Sequence, residues 1–322
     1  MYILGINISH HGSICLLKDG EVLLFLEEER LSGNKYSLIN DSSFKVLSKI
    51  KEYTSSVDYI ALLIDGNHAG MPGLDNLIIE YNEDALKHIT NIIADKSTEL
   101  YKNFDIQRWN LVSEYLTQFA KPETKLYIDL ASHHNIHAVQ SFYNSGFKEA
   151  VCVVVDGQGT SLAGDCTDTI FERESIWKIS YTKCKKLYQE FNTPENGIGS
   201  TYSRVTKKLG FKQFEEGKTM GLSSYDNEIA KSVQAWSQEK VLNLIKLAID
   251  KSKCKNVCVS GGYGLNCVAN YYYRKSLPND INLYCEPVSN DAGHAIGLAI
   301  KVYRIVTGDT TIKPQTTLYL GS

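Results

Sequence analysis

With 322 residues and 43% hydrophobic side chains, the chain exceeds the usual size of a single core and is read as two lobes with ample material to bury. A net charge of −3 excludes a global electrostatic footprint for nucleic acid or an anionic membrane, so any polyanion has to be gripped locally. No apolar run approaches the ~18 residues of a spanning helix, and the N-terminus enters a strand without a basic leader, so a cytoplasmic protein with no membrane partner is expected.

The chain opens with three short predicted strands, 2–8, 13–17 and 22–26, the last two joined by the turn Lys18-Asp19-Gly20. A helix over 42–53 and a strand over 59–64 complete a β-β-β-α-β unit. From 74 to 118 the pattern is charged and helical with few Gly or Pro residues, which predicts an inserted helical layer. The segment Ser132-His133-His134-Asn135-Ile136-His137-Ala138 then reads as helix, and His133 and His137, four residues apart, share one face and can grip one metal ion. An isolated pair at this spacing is more often a coincidence of surface residues. Here the apolar strand 150–155 follows and delivers Asp156 at its C-terminal end, so further ligands are on offer. His134 points ~100° away from His133 and is assigned to packing or to orienting a ligand.

A second half restarts at Val151, giving lobes of 1–150 and 151–322. Its late strands, 257–260 and 281–285, each feed a loop and then a helix. Glycine clusters fall at strand ends, among them Asp156-Gly157-Gln158-Gly159, Gly217-Lys218-Thr219-Met220-Gly221, Ser260-Gly261-Gly262-Tyr263-Gly264 and Asp291-Ala292-Gly293. Bare backbone amides approach phosphates closely at such turns, and several together point to a nucleotide cleft. No Gly-x-x-x-x-Gly-Lys-Ser/Thr element is present. The eight cysteines are scattered, and Cys15, Cys152, Cys258 and Cys285 sit in apolar strands, the pattern of reduced core thiols.

Several blocks in order resemble the carbamoyltransferase family of nodulation-factor and aminoglycoside antibiotic O-carbamoyltransferases, whose catalytic part is similar to the tRNA threonylcarbamoyl-transfer protein. They are Leu4-Gly5-Ile6-Asn7, His10-His11-Gly12-Ser13, Glu27-Glu28-Glu29-Arg30, His133 to Ala138, Val155-Asp156-Gly157, Lys218-Thr219-Met220-Gly221-Leu222, Gly261-Gly262-Tyr263-Gly264-Leu265-Asn266-Cys267-Val268-Ala269-Asn270 and Asp291-Ala292-Gly293. The resemblance runs the length of the chain. It implies an α/β protein with the duplicated actin-like ATPase (ASKHA) fold, two α/β lobes with a helical insertion. It also implies a metal centre in which His133, His137 and Asp291 are ligands and Asp156 ligates directly or through water. Fe(II) is the first expectation, with Mn(II) and Zn(II) as alternatives.

The activity implied is O-carbamoyl transfer from carbamoyl-adenylate to a hydroxyl of a sugar, a nucleoside or a hydroxymethylated pyrimidine, including one in DNA. His10 matches a histidine near the family's carbamoyl site and is the candidate proton acceptor. Lys35 follows the Glu-Glu-Glu-Arg block and is the candidate to steer carbonyl or phosphate oxygens, although relatives carry more basic residues where this chain has Leu31-Ser32-Gly33-Asn34. Gly157, Gly159, Gly221, Gly261, Gly262 and Asn266 are the candidates for holding carbamoyl-adenylate, ATP or AMP. Relatives continue past a Tyr-Leu-Gly block, here Tyr319-Leu320-Gly321, into a domain that makes carbamoyl-adenylate. That domain is expected from a C-terminal extension or in trans. For the acceptor, Lys183, Lys185, Lys186, Arg204, Lys207, Lys208 and Lys212, with Tyr181, Tyr188, Tyr202 and Phe211, form either a polyanion grip or a solvated lysine face. Threonylcarbamoyl transfer to tRNA, an actin-like kinase and a nucleotide-binding regulator are the alternatives; a kinase has little use for a His-x-x-x-His face.

Overall fold

The computed structural model describes residues 1–37, 45–63, 76–80, 84, 86–87, 90–91, 109–110, 112–129, 133–162, 170–193, 196–318 and 320. Two compact units emerge, one of Met1–Ile136 with Asp291–Ser322 and one of His137–Asn290.

The first unit is built on a sheet of β1 (Tyr2–Asn7), β2 (Ser13–Lys18), β3 (Glu21–Glu27), β4 (Tyr59–Leu63), β5 (Asn76–Glu80) and β6 (Lys125–Asp129), in the order β3-β2-β1-β4-β6-β5. Strands β1 to β3 form an antiparallel meander, with Asn7 opposite Ser13, while β4 and β6 continue from β1 in parallel. Ile3, Leu4, Ile6, Ile14, Leu16 and Leu62 are fully buried, as expected of strands covered on both faces. On one face lie Val46, Leu47, Ile50, Trp109, Val112 and Leu116, from α2 (Lys45–Lys49), the short turn after it and the helical residues before β6. A late helix, His294–Thr307, packs on β1, β2 and β4. Gly5 makes room for it, because a Cβ there would stand 2.1 Å from the carbonyl oxygen of Ala295.

Residues 76–80, expected within the helical layer, are instead strand β5, paired antiparallel with β6. The run Leu77-Ile78-Ile79 suits a pleated edge, and its pairing overrides the charged, Gly-poor context that suggested helix. The rest of that layer at 92–108 lies outside the described residues, as does the Gly-containing turn at 163–165. The Glu27 to Arg30 block forms a charge network at the strand end. Glu28 is buried in α1 (Glu28–Ser32) with its carboxylate accepting the Val46 N–H at 3.2 Å, and Glu29 accepts the Tyr36 N–H at 2.9 Å.

The second unit repeats the plan. Its strands are β7 (Glu149–Val155), β8 (Ser161–Leu162), β9 (Ile170–Ser180), β10 (Lys183–Asn192), β11 (Asn256–Ser260) and β12 (Asn282–Cys285). The order is β10-β9-β7-β11-β12, with β8 on β9. Again an antiparallel meander flanks the first strand on one side and parallel strands on the other. Helix α3 (His133–Ser145) leads into β7. Then come α4 (Ile198–Lys208), α5 (Glu216–Leu222), α6 (Glu228–Ser252) and α7 (Cys267–Ser276), and α8 is the His294–Thr307 helix. Asn227 caps α6 by accepting the Ala230 N–H at 2.9 Å. Cys15, Cys152 and Cys258 are buried free thiols, and burial pushes the Cys152 thiol well up.

The division differs from lobes of 1–150 and 151–322. The boundary falls inside α3, and residues from 291 onward return to the first unit, because α8 covers the β1, β2 and β4 face. No helix among the described residues is long and apolar enough to cross a membrane.

Candidate metal centre

Helix α3 starts at His133 and is buried through its first twelve residues, 133–144. His133 is 4% exposed, and His134 and His137 are fully buried. Burying several imidazoles is costly unless each finds a polar partner or an ion. The short turn Asp291–Gly293 runs directly into α8, so Asp291 and His294 stand three residues apart at the helix entry. One donor atom from each of His133, His137, Asp291 and His294 lies within 4.8 Å of the others. His133, Asp291 and His294 belong to the first unit, and His137 is carried into the set by the α3 turn that it shares with His133. His134 lies outside the set, its ring centre 5.9 Å from that of His133.

Asp291 is held through its backbone. The Asn7 amide donates to its carbonyl at 3.1 Å, and the Ser13 hydroxyl donates to the next carbonyl, of Ala292, at 2.7 Å. Its two carboxylate oxygens face different imidazoles, Oδ1 standing 3.4 Å from His133 Nε2 and Oδ2 3.2 Å from His10 Nε2. The other ring nitrogen of His10, Nδ1, lies 2.8 Å from Nδ1 of His11. Both nitrogens of the residue expected to accept a proton are therefore engaged. With Asp291 ionised, His10 donates through Nε2–H and accepts at Nδ1. His11 then donates through Nδ1–H.

The turn that carries the pair is strained. His11 has φ 58°, a left-handed conformation costing about 1–3 kcal/mol in a non-glycine residue. The Asn7 amide stabilises it by donating to the carbonyls of both His10 and His11 at 3.1 Å. Lys35 sits exposed on the adjoining loop, which is pinned there by the Gly12 N–H donating to the Ser37 carbonyl at 2.8 Å and by Tyr36 edge-on to His11.

A buried ion pair fixes α8 to the α3 entry. Lys301 Nζ lies 2.7 Å from Asp129 at the end of β6 and donates to Asn135 Oδ1 at 2.9 Å, and the Tyr127 hydroxyl donates to the same Asp129 at 3.0 Å.

In the second unit, Asp156 ends β7 and accepts the Gly262 N–H through Oδ1 at 2.8 Å; it is not among the grouped donors. The glycine candidates divide. Gly261, at φ +88°, would drive a Cβ to 2.3 Å from the Val155 carbonyl oxygen, so it is required for packing, whereas a Cβ on Gly262 would meet the end of the Asp156 side chain, Oδ1, at 2.7 Å and displace it. Gly159 spends its N–H on the Glu172 carbonyl at 2.9 Å, and Gly221 lies inside α5. A Cβ on Gly157 would have nothing within 4 Å. Asn266 caps α7 by accepting the Ala269 N–H at 3.0 Å and exchanges hydrogen bonds with Gln234. The lysines at 183, 185 and 186 are exposed on β10, the sheet edge, where lysine also blocks edge-to-edge pairing. Tyr202 is buried and donates to Gln234 at 2.8 Å.

His294 was missed by sequence reasoning. The signal available was the Asp-x-x-His spacing of Asp291 and His294, which passes for a glycine turn until the short turn and helix are seen to continue from it.

Comparison with solved structures defines the class. A structure of full-length HypF in a phosphate- and nucleotide-bound form aligns with a TM-score of 0.54 at 12% identity, over 96% of this chain and 56% of that one. A ROK family protein from Streptococcus pneumoniae TIGR4, solved with sucrose, aligns with a TM-score of 0.52 at 9% identity, over 96% and 99% of the two chains. The molecule has the actin-like ATPase fold. A family described as Carbamoyltransferase N-terminus matches residues 2–228 and 223–300, and the chain belongs to that family. Nodulation protein NolNO of Sinorhizobium fredii is 23% identical over 346 residues, 90% of this chain and 46% of the relative. The protein sll1178 of Synechocystis is 24% identical over 372 aligned residues, 94% of this chain and 57% of the relative. The chain thus spans about half the length of the curated relatives it matches.

Proposed function

We propose that this chain is the catalytic part of a metal-dependent O-carbamoyltransferase, moving a carbamoyl group from carbamoyl-adenylate to a hydroxyl of a sugar, a nucleoside or a hydroxymethylated pyrimidine of DNA. The observation that carries this reading is the buried donor set His133, His137, Asp291 and His294 in a member of a carbamoyltransferase family. Imidazoles with one carboxylate suit Fe(II), Mn(II) or Zn(II), and we take Fe(II) first. When bound, such an ion supplies Lewis-acid stabilisation of the charge that grows on the oxygens around the carbamoyl carbon.

In the transfer step the acceptor oxygen bonds to the carbamoyl carbon while the bond from that carbon to the phosphate oxygen breaks, and AMP leaves with the electron pair. The acceptor's proton goes to the His10–His11 pair. In this reading the pair holds that proton beside the Asp291 carboxylate, which stands 3.2 Å from His10 Nε2. Lys35 steers phosphate oxygens as a point charge. The second unit's turn at Gly157 is our candidate for the nucleotide, from a set that also holds Gly159, Gly221, Gly261, Gly262 and Asn266; Gly157 and Gly221 both leave a Cβ nothing within 4 Å, and Gly157 is preferred because it lies in a turn after a strand and not inside a helix. Carbamoyl-adenylate comes from a further domain or a partner polypeptide, in keeping with the greater length of the relatives.

The test is to incubate anaerobically reconstituted protein with carbamoyl-adenylate and a panel of sugar, nucleoside and hydroxymethylated-DNA acceptors. Products are read by mass spectrometry for the gain of one carbamoyl group. Transfer to one acceptor class that disappears in His133→Ala supports the reading. Phosphoryl transfer from ATP to a sugar, with no transition metal retained, overturns it in favour of a kinase.

A further inference from the structure

The geometry points to His294 as a metal ligand, making the centre a set of three imidazoles and one carboxylate. This inference rests on the metal reading above and deepens it by making His294, there one member of a group of candidate donors, a direct ligand. His294 is 1% exposed at the first position of α8, three residues after Asp291. Its ring centre lies 4.3 Å from that of His133, with the ring planes at 85°.

That separation is informative. With about 2.1 Å from metal to imidazole nitrogen and about 1.1 Å more to the ring centre, two rings bound to one ion hold their centres at most about 6.4 Å apart, and the 4.3 Å observed lies within that limit.

Asp291 adds the carboxylate, and its geometry agrees. Oδ1 turns to His133, inside the donor set, whereas Oδ2 turns to His10. One oxygen is therefore aimed at the ion and the other is oriented by an imidazole N–H, the usual arrangement around a bound carboxylate. Asp156, whose Oδ1 is committed to the Gly262 N–H, is then not needed among the direct ligands. Three nitrogens and one oxygen form a borderline donor set, which shifts the preference toward Fe(II), Co(II) and Zn(II) and away from Mg(II).

The experiment counts imidazoles. Protein of the full 322-residue chain is reconstituted anaerobically with Fe(II), and separately with Co(II), and X-ray absorption fine structure is recorded together with metal content. Three imidazoles per ion are expected in the unaltered protein. In His294→Ala, chelator competition should show affinity falling by at least ~100-fold, beyond the range typical for groups that only orient a ligand. The Co(II) absorption spectrum should change and be partly restored by added imidazole. Two imidazoles in the unaltered protein, or a folded His294→Ala variant of unchanged affinity, overturns the assignment while the metal reading stands. Failure of the unaltered protein to hold any transition metal sinks both.

Discussion

The two units are laid out alike and equipped differently. In each, the first strand is flanked by an antiparallel meander and by parallel strands, and each first strand ends in a turn that holds polar groups. After β1 that turn carries His10 and His11, braced by Asn7 against Asp291. After β7 it carries Asp156 and Gly157, braced by the Gly262 N–H. One turn presents imidazoles and the other presents open backbone. The two strand ends are equivalent in the fold, and under the proposed function one serves metal and proton chemistry and the other close backbone approach. The fold alone specifies neither.

The comparison breaks most visibly if metal is lost from the wrong side. His133→Ala combined with His137→Ala, and separately Asp291→Asn, are expected to abolish stoichiometric metal in elemental analysis of anaerobically purified protein. Asp156→Asn in the second unit is expected to leave one equivalent in place, since the amide oxygen still accepts from Gly262. Metal loss in Asp156→Asn would return that residue to the ligand set expected from the sequence.

The next effect is on stability and belongs to the first unit. Asp129 is fully buried, and its pairing with Lys301, closed at 2.7 Å, is joined by Tyr127 and Asn135. Lys301→Met leaves a buried carboxylate without its cation and is expected to cost about 3–5 kcal/mol in chemical denaturation. Lys301→Met with Asp129→Leu should recover much of that loss, because replacing both charges removes the desolvation penalty along with the attraction. Failure of the double variant to recover would assign α8 docking to these hydrogen bonds rather than to paired charge.

Much of this organisation was legible in the residues. The opening strands, the late strands and the α3 start follow from apolar periodicity and turn residues, which are local signals. Strand β5 was not legible, because its pairing with β6 is set by residues some fifty positions away. The return of α8 to the first unit was hidden for the same reason: it depends on Gly5 admitting the Ala295 backbone, a contact between the two ends of the sequence. At the candidate centre, His133 and His137 announce themselves by helical spacing. His294 does not, because Asp291-Ala292-Gly293 reads as a turn and its partner histidines lie about 160 residues earlier. The engagement of both His10 nitrogens is likewise a three-dimensional fact that no spacing encodes.

In the second unit, the glycines separate packing from function. Gly261→Ala meets both a positive φ and the Val155 carbonyl oxygen at 2.3 Å, so a loss of about 2–4 kcal/mol is expected. Gly157→Ala meets nothing within 4 Å and should leave the thermal midpoint nearly unchanged while weakening nucleotide binding, measured by calorimetry with AMP. Unchanged AMP affinity in a folded Gly157→Ala variant would remove this turn from the nucleotide site.

The smallest effect is a pH dependence confined to the second unit. Glu286 is 1% exposed, accepting the Val288 N–H at 3.1 Å, the Asn144 amide at 3.1 Å and the Tyr284 hydroxyl at 3.3 Å. Burial pushes its carboxyl up to about 7 against the pull of those donors. Where the first unit pairs its buried Asp129 with a cation, Glu286 has neutral donors, and its charge remains costly. Between the ordinary value of 4.5 and about 7, the folded protein keeps a proton that the unfolded chain has released. Stability from this group therefore falls as pH rises through that window and levels off above it. Glu286→Gln keeps an oxygen for Val288 and removes the charge. It is expected to be more stable than the unaltered protein at pH 8 by about 1–3 kcal/mol, with the difference vanishing near pH 4.5. Urea denaturation at both pH values reads it directly. A variant less stable at pH 8 would mean that the ionised carboxylate, with its three donors, is worth more to the fold than its desolvation costs.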